Sequence, residues 1–435
     1  MKRVERFIFY LLLFSIPFEV RLILAKWSIR FNEWMSAFLY GTDLLIGVLF
    51  LFWIWNFIIK KQKLSLNRSD FALLAFFIIS GFSLFRADNL NLGIYQLIKL
   101  AEFIGFYFYV RSAFTRGVIN IRGSMGILII SGVFQAIIGM LQYAKQSSLG
   151  LKYLGETVLL PSMSGVAVVV SNGEKFLRSY GTMLHPNILA SFLFLAIFSF
   201  YFLYFYRSGA GISLRWPILY IPLLFGFLFT FSRVIIGLWG LGVIIRTLLV
   251  IFKLRFWILL LKTISRVILV ISITLIISGI FAGLFYPQII SRLNVSSSDQ
   301  AVSLRVWYDK LGAETIKENL FGVGLGNFVT HLKKIQPILP YWQYQPVHNI
   351  YLLIGAENGI LALGLFLLFL FLLSKEYFRT NNFKKLYQHS FFLIFSSFLI
   401  ISFFDHFLWT SQAGNLMFWL VLSLIKSVDG PITID

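Results

Sequence analysis

Apolar residues occur along this chain in long blocks separated by short polar segments. Each block spans about 17 to 25 residues, the length that an α-helix needs to cross the hydrocarbon core of a bilayer. A soluble helical protein would interrupt such runs every few residues with a polar face. The pattern therefore predicts an all-α polytopic membrane protein with about 12 transmembrane helices. The predicted spans are 7–25, 37–59, 70–86, 94–111, 123–143, 185–206, 216–232, 233–251, 263–286, 348–373, 389–405 and 411–426.

Two polar stretches, 144–184 and 287–347, are much longer than the other connections. Structureless loops of this size are uncommon in compact proteins and are usually functional. In the larger loop, residues 304–316 have helical periodicity, so we expect short helices there. No linker or soluble domain interrupts the chain, which predicts a single membrane domain, 1–435, carrying both loops.

The basic residues predict the orientation of the spans. With the N-terminus in the cytoplasm, every short inner segment is rich in lysine and arginine, as the positive-inside rule requires. The short outer loops carry few basic residues, chiefly Lys26, Arg30 and Arg86. Long loops translocate regardless of their charge. We therefore expect cytoplasmic termini and both long loops on the outer face of the membrane.

Composition agrees with a membrane protein. Of the 435 residues, 58% are hydrophobic and only 13% are charged, whereas a soluble chain is about a quarter charged. The net charge of +20 would suit a nucleic-acid ligand, but most charges lie in short loops and no nucleic-acid-binding motif is present. We expect membrane lipid, and no nucleic acid, as a partner. The absence of cysteine excludes disulfides and thiolate metal sites.

Five side chains that are far apart in sequence fall on the predicted outer face: Arg178, His185, Arg233, Arg305 and His348. Arginine suits a pyrophosphate because its planar fork makes bidentate, charge-assisted hydrogen bonds. A histidine that titrates near neutrality suits removal of a proton from a hydroxyl group. Together they indicate transfer of a group from a phosphate-activated donor to a sugar hydroxyl.

Each of these residues also has a purely structural interpretation. Position alone allows Arg233 to snorkel to the membrane interface. Arg178 and Arg305 would then be solvated loop charges, and His348 would cap a helix. His185 precedes Pro186, which is typical of a helix start, and we interpret it as mainly structural.

Glu357 is a carboxylate inside the predicted span 348–373. It lies about 13 Å along that helix, and an intramembrane carboxylate is a functional-site hypothesis by default. We favour a structural ion pair instead, with Lys99 of span 94–111 as the expected partner. Asp405-His406 provides a second acidic candidate on the outer face.

Several motifs of other enzyme classes are missing. The chain has no Asp-x-Asp motif for a metal-bound nucleotide sugar and no His-Glu-x-x-His metal site. Gly322-x-Gly324-x-Gly326 lacks the strand-to-helix context of a phosphate loop, so we interpret it as a turn that returns the large loop to the membrane. We therefore expect no metal and no cofactor.

At these positions the sequence resembles the O-antigen ligase and O-antigen polymerase superfamily of bacterial envelope glycosyltransferases. The matching pieces are Arg178 to Asn187, Ser232-Arg233 with Gly237, Arg305 with Trp307, residues 321–328, and His348-Asn349 through Glu357, Gly359 and Gly364. Their order, spacing and coincidence with outer membrane ends carry the resemblance. One position departs from the ligase pattern, which has Gly, Thr or Tyr three residues after the helix glycine, where this chain has Ala362.

The resemblance implies a GT-C-like fold in the bacterial inner membrane and a donor glycan carried on undecaprenyl diphosphate. His348 would be the catalytic base, Arg233 and Arg305 would hold the diphosphate, and Arg178 matches a third family arginine. Asn349, Glu357 and His185 would support the site. The reaction would be metal-independent and inverting. The glycan acceptor would be lipid A core or a second lipid-linked glycan.

Other functions remain open at this stage. A repeat-unit polymerase would use a second lipid-linked glycan as acceptor, and a protein glycosyltransferase would use a protein. A catalytic variant would take an outer-face carboxylate such as Glu19 or Glu33 as the base. A lipid-glycan flippase would instead need charged groups along a path through the membrane and paired half-structures, and this chain shows neither pattern.

Overall fold

The computed structural model of the protein describes residues 1–59, 61, 65–205, 215–254, 261–294, 300–379 and 386–427. It is mostly helical, with two small β-hairpins. The helices are α1 Lys2–Ser15, α2 Gly41–Ile59, α3 Arg68–Phe82, α4 Leu90–Thr115, α5 Ile121–Lys145, α6 Pro186–Phe205, α7 Arg215–Leu228, α8 Arg233–Leu254, α9 Leu261–Leu284, α10 Tyr286–Leu293, α11 Gln300–Glu318, α12 Phe328–Ile335, α13 Ile350–Asn358, α14 Ile360–Arg379, α15 Leu386–Ile401, α16 Phe407–Thr410 and α17 Gln412–Ser427. The strands are β1 Arg21–Lys26, β2 Ser36–Tyr40, β3 Val168–Ser171 and β4 Glu174–Leu177, and each hairpin pairs antiparallel.

Six helical segments within the described ranges are long and apolar enough to cross a membrane. They are Gly41–Ile59, Arg68–Arg86, Ile121–Lys145, Pro186–Phe205, Ser265–Leu284 and Ile360–Arg379. The helical, polytopic character predicted from the sequence is therefore confirmed. The total of about 12 spans and the GT-C-like arrangement stay predictions.

Helix α6 is the central element of the bundle. Of its membrane-length apolar stretch, 94% is buried inside the protein. The helix packs against α5, α7, α8, α9, α15 and α17. Polar side chains in this apolar interior bond to one another: the hydroxyls of Tyr201 and Tyr220 are 2.8 Å apart, and Tyr220 is 2.7 Å from Thr274 Oγ1. Bonded in this way, the hydroxyls avoid the cost of unpaired burial. The bundle thus holds the first residues of α6, which reach the candidate site, in a fixed position.

The predicted first span, 7–25, is wrong in its second half. Helix α1 ends at Ser15, and Arg21–Lys26 forms strand β1. Pro17 has no backbone N–H and cannot donate the next helical hydrogen bond, so the helix does not continue past it. Arg21 then bonds to Glu33 across the hairpin. This contact commits Glu33, one of the outer-face carboxylates considered as a base, to an ion pair.

The predicted span 348–373 is also wrong, because it consists of two helices. Helix α13 ends at Asn358, and Gly359 has φ +89°, a left-handed conformation that suits glycine. The turn from Gly322 to Gly324 packs on this break: the Val323 and Gly324 amides donate to the carbonyls of Ala356 and Glu357, each at 2.9 Å. The turn thereby satisfies the last carbonyls of α13.

The expected pairing of Glu357 with Lys99 is wrong. The Glu357 carboxylate accepts a hydrogen bond from the Phe328 amide at 3.3 Å, at the start of α12. Lys99 bonds instead to Asp43 at 2.8 Å and to Glu102 at 2.6 Å. Glu357 thus ties the glycine turn to α13. Gly322-x-Gly324-x-Gly326 is a turn, as predicted, and its three glycines all have positive φ.

The two predicted outer loops are ordered where the structure describes them. The first contains the β3–β4 hairpin, and the second contains α10, α11 and α12. Helix α11 includes the segment with predicted helical periodicity, which confirms that prediction. Ser291 of α10 donates a hydrogen bond to the Val170 carbonyl of β3, so the two loops contact each other.

Candidate functional site

A cavity of about 700 Å³ lies among the start of α6, the start of α8, α10, α11 and residues 164–170. Four arginines from separate segments line it: Arg178, Arg233, Arg292 and Arg305. Among the described lining residues, Asp405 is the one carboxylate. The structure therefore brings together all three arginines that the sequence singled out and adds a fourth. We call this space the arginine cavity.

Arg178 is the most buried of the four, at 5% exposure. Its Nε donates to the Thr230 carbonyl at 2.6 Å, and its Nη2 donates to Asn187 Oδ1 at 2.9 Å. Burial, together with repulsion from Arg292, Arg305 and Arg233, lowers the pKa of Arg178 to about 9. The group stays cationic at neutral pH. An anion in the cavity would relieve the repulsion among these cations.

Asn187 connects the two sides of the cavity. Its Oδ1 accepts from Arg178 and, at 3.1 Å, from Ser232 Oγ, while its Nδ2 donates to Asp405 Oδ2 at 2.8 Å. Asp405 Oδ1 accepts the His406 backbone amide at 2.9 Å. Both Asp405 oxygens are therefore engaged without a direct ion pair to an arginine among the described residues.

Arg233 is the first residue of α8, just after a sharp turn. Phe231 in this turn has φ +46°, an uncommon conformation for a bulky residue. Contacts of its ring with Tyr143 and Phe281 hold it there. Arg233 Nη1 donates to the Arg292 carbonyl at 3.0 Å, which links α8 to α10. The turn that separates the two predicted spans at Ser232-Arg233 thus directs an arginine into the cavity.

His348 does not line the arginine cavity, but it interacts electrostatically with Asp405 and Arg305, which do. Its half-buried ring packs between Tyr308 and His406, with centroid distances of 5.5 Å and 4.9 Å. Burial lowers the pKa of His348, Asp405 raises it, and Arg305 lowers it again. The Pro346 backbone also favours protonation, although Nδ1 makes no hydrogen bond of ordinary geometry. The ring is therefore poised as a neutral imidazole.

Charge around Asp405 is set by its histidine and arginine neighbours. His406, His348 and Arg305 hold the pKa of Asp405 well below its usual range, despite burial. Burial lowers the pKa of His406 to about 3. The site therefore contains an ionised aspartate beside two neutral imidazoles. This arrangement can accept a proton at a histidine and offset the resulting charge with Asp405.

The supporting residues named from the sequence have defined contacts. His185 lines the cavity, and its Nδ1 accepts the Asn187 amide at 3.1 Å as α6 begins at Pro186. Burial lowers the pKa of His185 to about 3, and Arg178 adds to the effect. Asn349 caps α13, with its Oδ1 accepting from the Tyr351 and Leu352 amides. Glu357 fixes the turn at the other end of α13.

Sequence reasoning missed three contributors. Arg292 was not singled out because it lies on α10, a short helix with no recognisable motif. Asn187 was interpreted only as part of a helix start, and His406 only as the neighbour of Asp405. Their one shared signal is a polar residue at the outer end of an apolar block. That signal does not predict which residues will contact it in the folded protein.

No group of three or more His, Asp or Glu side chains within the described ranges could hold a metal ion. Glu19, the other carboxylate considered as a base, is buried at 4% exposure beside strand β1. It does not line the arginine cavity. Burial raises its pKa to about 8.

In a comparison with protein families, the family model described as O-antigen ligase matches residues 218–367. The resemblance to the O-antigen ligase superfamily is confirmed. A search of curated proteins gives no match. The family supports O-antigen ligase-like or polymerase-type activity, with lipid-linked glycan substrates and a bacterial membrane location.

The O-antigen ligase match covers only part of the site. Arg233, Arg292, Arg305 and His348 lie inside the matched segment 218–367. The residues that complete the surroundings lie outside it: Arg178, His185, Asn187, Asp405 and His406. The central helix α6 and the turn before α16 bring these residues to the matched segment 218–367. The site is therefore a property of the whole bundle.

Proposed function

We propose that this protein transfers a glycan from an undecaprenyl-diphosphate carrier to an acceptor sugar hydroxyl on the outer face of the bacterial inner membrane. The observation that carries the proposal is the convergence of Arg178, Arg233, Arg292 and Arg305 on one cavity next to His348 and Asp405. The proposal includes a GT-C-like bundle of about 12 spans with cytoplasmic termini and a single membrane domain.

The charge of the arginine cavity suits a diphosphate leaving group. A glycosyl diphosphate carries one negative charge on each phosphate and gains another when the glycosidic bond breaks. Four guanidinium groups line the described part of the cavity, where they can stabilise that developing charge. Fixed cations that meet the charge of the transition state lower the barrier without reorganisation. Arg233, Arg305 and Arg178 are the proposed diphosphate ligands, and Arg292 joins them.

The position of His348 suits an inverting displacement. In such a reaction the acceptor hydroxyl attacks from the side opposite the leaving diphosphate. His348 is not among the residues that line the arginine cavity, so it can approach the sugar from another direction. Its lowered pKa keeps it neutral and able to take the hydroxyl proton. Asp405 then stabilises the imidazolium that forms.

The proposed roles of the arginines and of His348 in the reaction need neither a metal nor a cofactor. Arginines take the place of a cation on the diphosphate, and the base is a side chain. The long apolar tail of the donor would lie between helices that face lipid. The preferred acceptor is a sugar of the lipid A core, as for O-antigen ligases.

A repeat-unit polymerase is the second candidate. Ala362, fully buried in α14, stands where the ligase pattern has Gly, Thr or Tyr. A polymerase would use the same arginines and the same base, with a second lipid-linked glycan as acceptor. The product distinguishes the two: a ligase joins the glycan to lipid A core, and a polymerase lengthens the lipid-linked chain.

The test is transfer by purified protein from an undecaprenyl-diphosphate glycan in the presence of EDTA. We expect the wild type to be active and both His348→Ala and Arg305→Ala to fold but lose turnover. His331→Ala and Arg86→Ala are the matched controls, since His331 contacts Asp88 outside the cavity and Arg86 is exposed.

Normal turnover of His348→Ala would refute the base assignment and favour a carboxylate such as Glu19. Loss of wild-type activity in EDTA that an added divalent cation restores would refute metal independence. Movement of the lipid-linked glycan across the bilayer without a new glycosidic bond would identify a flippase instead.

A further inference from the structure

Four rings form a continuous series through the proposed base. The ring centroids of Trp34 and His406 are 5.7 Å apart, those of His406 and His348 are 4.9 Å apart, and those of His348 and Tyr308 are 5.5 Å apart. Trp34 belongs to the short helix Glu33–Met35 between β1 and β2, and Tyr308 belongs to α11. We call this series the ring ladder. It joins the N-terminal hairpin to the large outer loop.

His406 is the fixed member of the ring ladder. It is buried at 8% exposure, and its Nδ1 is 2.7 Å from Thr410 Oγ1. Thr410 Oγ1 also donates to the His406 carbonyl at 3.2 Å. Nδ1 donates to this hydroxyl or accepts from it, depending on the tautomer of His406. In either tautomer the contact holds the ring in one orientation.

His348, by contrast, is held mainly by packing. In many enzymes a carboxylate bonded to the base sets the orientation of the imidazole. Here Nδ1 of His348 makes no hydrogen bond of ordinary geometry, and Asp405 bonds to Asn187 and to the His406 backbone amide. The Pro346 backbone and the two flanking rings remain to orient His348. A base must be placed to within about 0.5 Å to act efficiently.

We propose that His406 is a positioning residue, which holds the His348 ring in its catalytic orientation by direct packing, with Trp34 supporting His406 from behind. This inference rests on the proposed function, since it requires His348 to be the base. Both His406 and Trp34 lie outside the segment 218–367 that matches O-antigen ligases. The N-terminal hairpin therefore contributes to the placement of the base.

His406 acts through its ring and not by carrying a proton. The titratable and charged groups that face the His348–His406 pair are Asp405 on the same turn, Arg305 and Tyr308 on α11, and His185 at α6. Burial and repulsion from His348 keep His406 neutral at neutral pH, with its pKa lowered to about 3. Replacement by another flat ring should therefore preserve its effect.

The experiment compares His406→Ala with His406→Phe in the transfer assay at neutral pH. We expect His406→Ala to lower kcat by about 100-fold, the cost of a misplaced reacting group, with little change in donor KM. His406→Phe, which keeps a ring in contact with His348, should recover most of the lost kcat. The pH profile of kcat for His406→Phe should keep the acid limb of the wild type, because that limb reports protonation of His348.

Phe392→Ala is the matched control for ring loss. Phe392 stacks on Tyr377 at 5.7 Å, away from the arginine cavity. We expect this variant to keep kcat, which separates loss of positioning from a general loss of stability. A comparable fall in kcat for Phe392→Ala would overturn the inference.

Four further results would also overturn the inference. If His406→Phe is as inactive as His406→Ala, a nitrogen of His406 is required. If His406→Phe loses the acid limb of the pH profile, His406 itself carries the proton. Wild-type kcat in His406→Ala, with His348→Ala inactive, would reject positioning but keep the proposed function. Activity of His348→Ala would reject both.

Discussion

Replacement of Asn187 by alanine tests whether the hydrogen-bonded wall of the arginine cavity shapes the donor site. The change removes three bonds, to Arg178, Ser232 and Asp405. Arg178 keeps its bond to the Thr230 carbonyl at 2.6 Å, so its guanidinium can rotate about that remaining contact. Asp405 keeps only the His406 amide at one oxygen.

The size of the effect follows from these partners. A bond to a charged group contributes about 1.5–3 kcal/mol and a neutral one about 1 kcal/mol, which sets an upper limit of about 4–7 kcal/mol. Water in the cavity can replace part of this, so we expect the free energy of unfolding to fall by about 2–3 kcal/mol. Loss of one aligned charge-assisted contact to the diphosphate should lower kcat/KM by about 10–100-fold.

The assay measures donor dependence of transfer and thermal unfolding for Asn187→Ala, Ser232→Ala and Asn56→Ala. Ser232→Ala removes only the neutral bond and should have the smaller effect. Asn56, whose amide donates to the Phe52 carbonyl in α2, controls for loss of a buried amide elsewhere. Near-normal kcat/KM in Asn187→Ala, or equal losses in Asn187→Ala and Ser232→Ala, would refute the reasoning.

Two other predictions concern backbone strain and pH. Gly359→Ala should destabilise the protein by about 1–3 kcal/mol in thermal or denaturant unfolding, since its Cβ would lie 2.7 Å from the Leu320 carbonyl oxygen. Gly364→Ala is the control and should not destabilise the protein, because there is open space around its Cβ. Equal losses of stability in the two variants would contradict the explanation. The lowered pKa values of His185 and His406, each about 3, mean that below about pH 6.5 the unfolded chain binds protons that the folded chain does not. The free energy of unfolding should therefore be highest above that pH and should fall on acidification. An equal free energy of unfolding at about pH 5 and at neutral pH would disprove this prediction.

The elements that could be predicted from sequence are those set by local physical constraints. Blocks of apolar residues long enough to cross a bilayer predicted helices such as α5 and α6, because the hydrocarbon length fixes the helix length. Pro186 after His185 correctly marked the start of α6. The polar break at Ser232-Arg233 correctly separated α7 from α8.

The wrong predictions arose where tertiary contacts override the local pattern. The apolar run after Ser15 suited a continued helix, yet Arg21 and Glu33 meet across a hairpin. The run from 348 to 373 suited one span, yet the glycine turn packs on Gly359 and interrupts it. Glu357 was assigned Lys99 because both lie in apolar blocks, but hydropathy does not say which helices are neighbours.

The same limit applies to the candidate site. Sequence could identify Arg178, Arg233, Arg305 and His348 because a charged residue at the end of an apolar block is conspicuous. It could not show that they surround one cavity, or that Arg292 joins them. Residue types are read from the chain, whereas the distances that give them a joint function depend on the packing of the bundle.

The break at Gly359 connects the fold with the proposed chemistry. Helix α13 has nine residues, and its two ends are fixed by different means. Asn349 caps its first turn, directly after His348, and the glycine turn binds the carbonyls of its last turn. A continuous membrane span would place His348 according to the packing of lipid-facing helices. A short helix fixed at both ends instead places His348 according to the large outer loop and the ring ladder. Movement of that loop on donor binding would therefore be transmitted directly to the base.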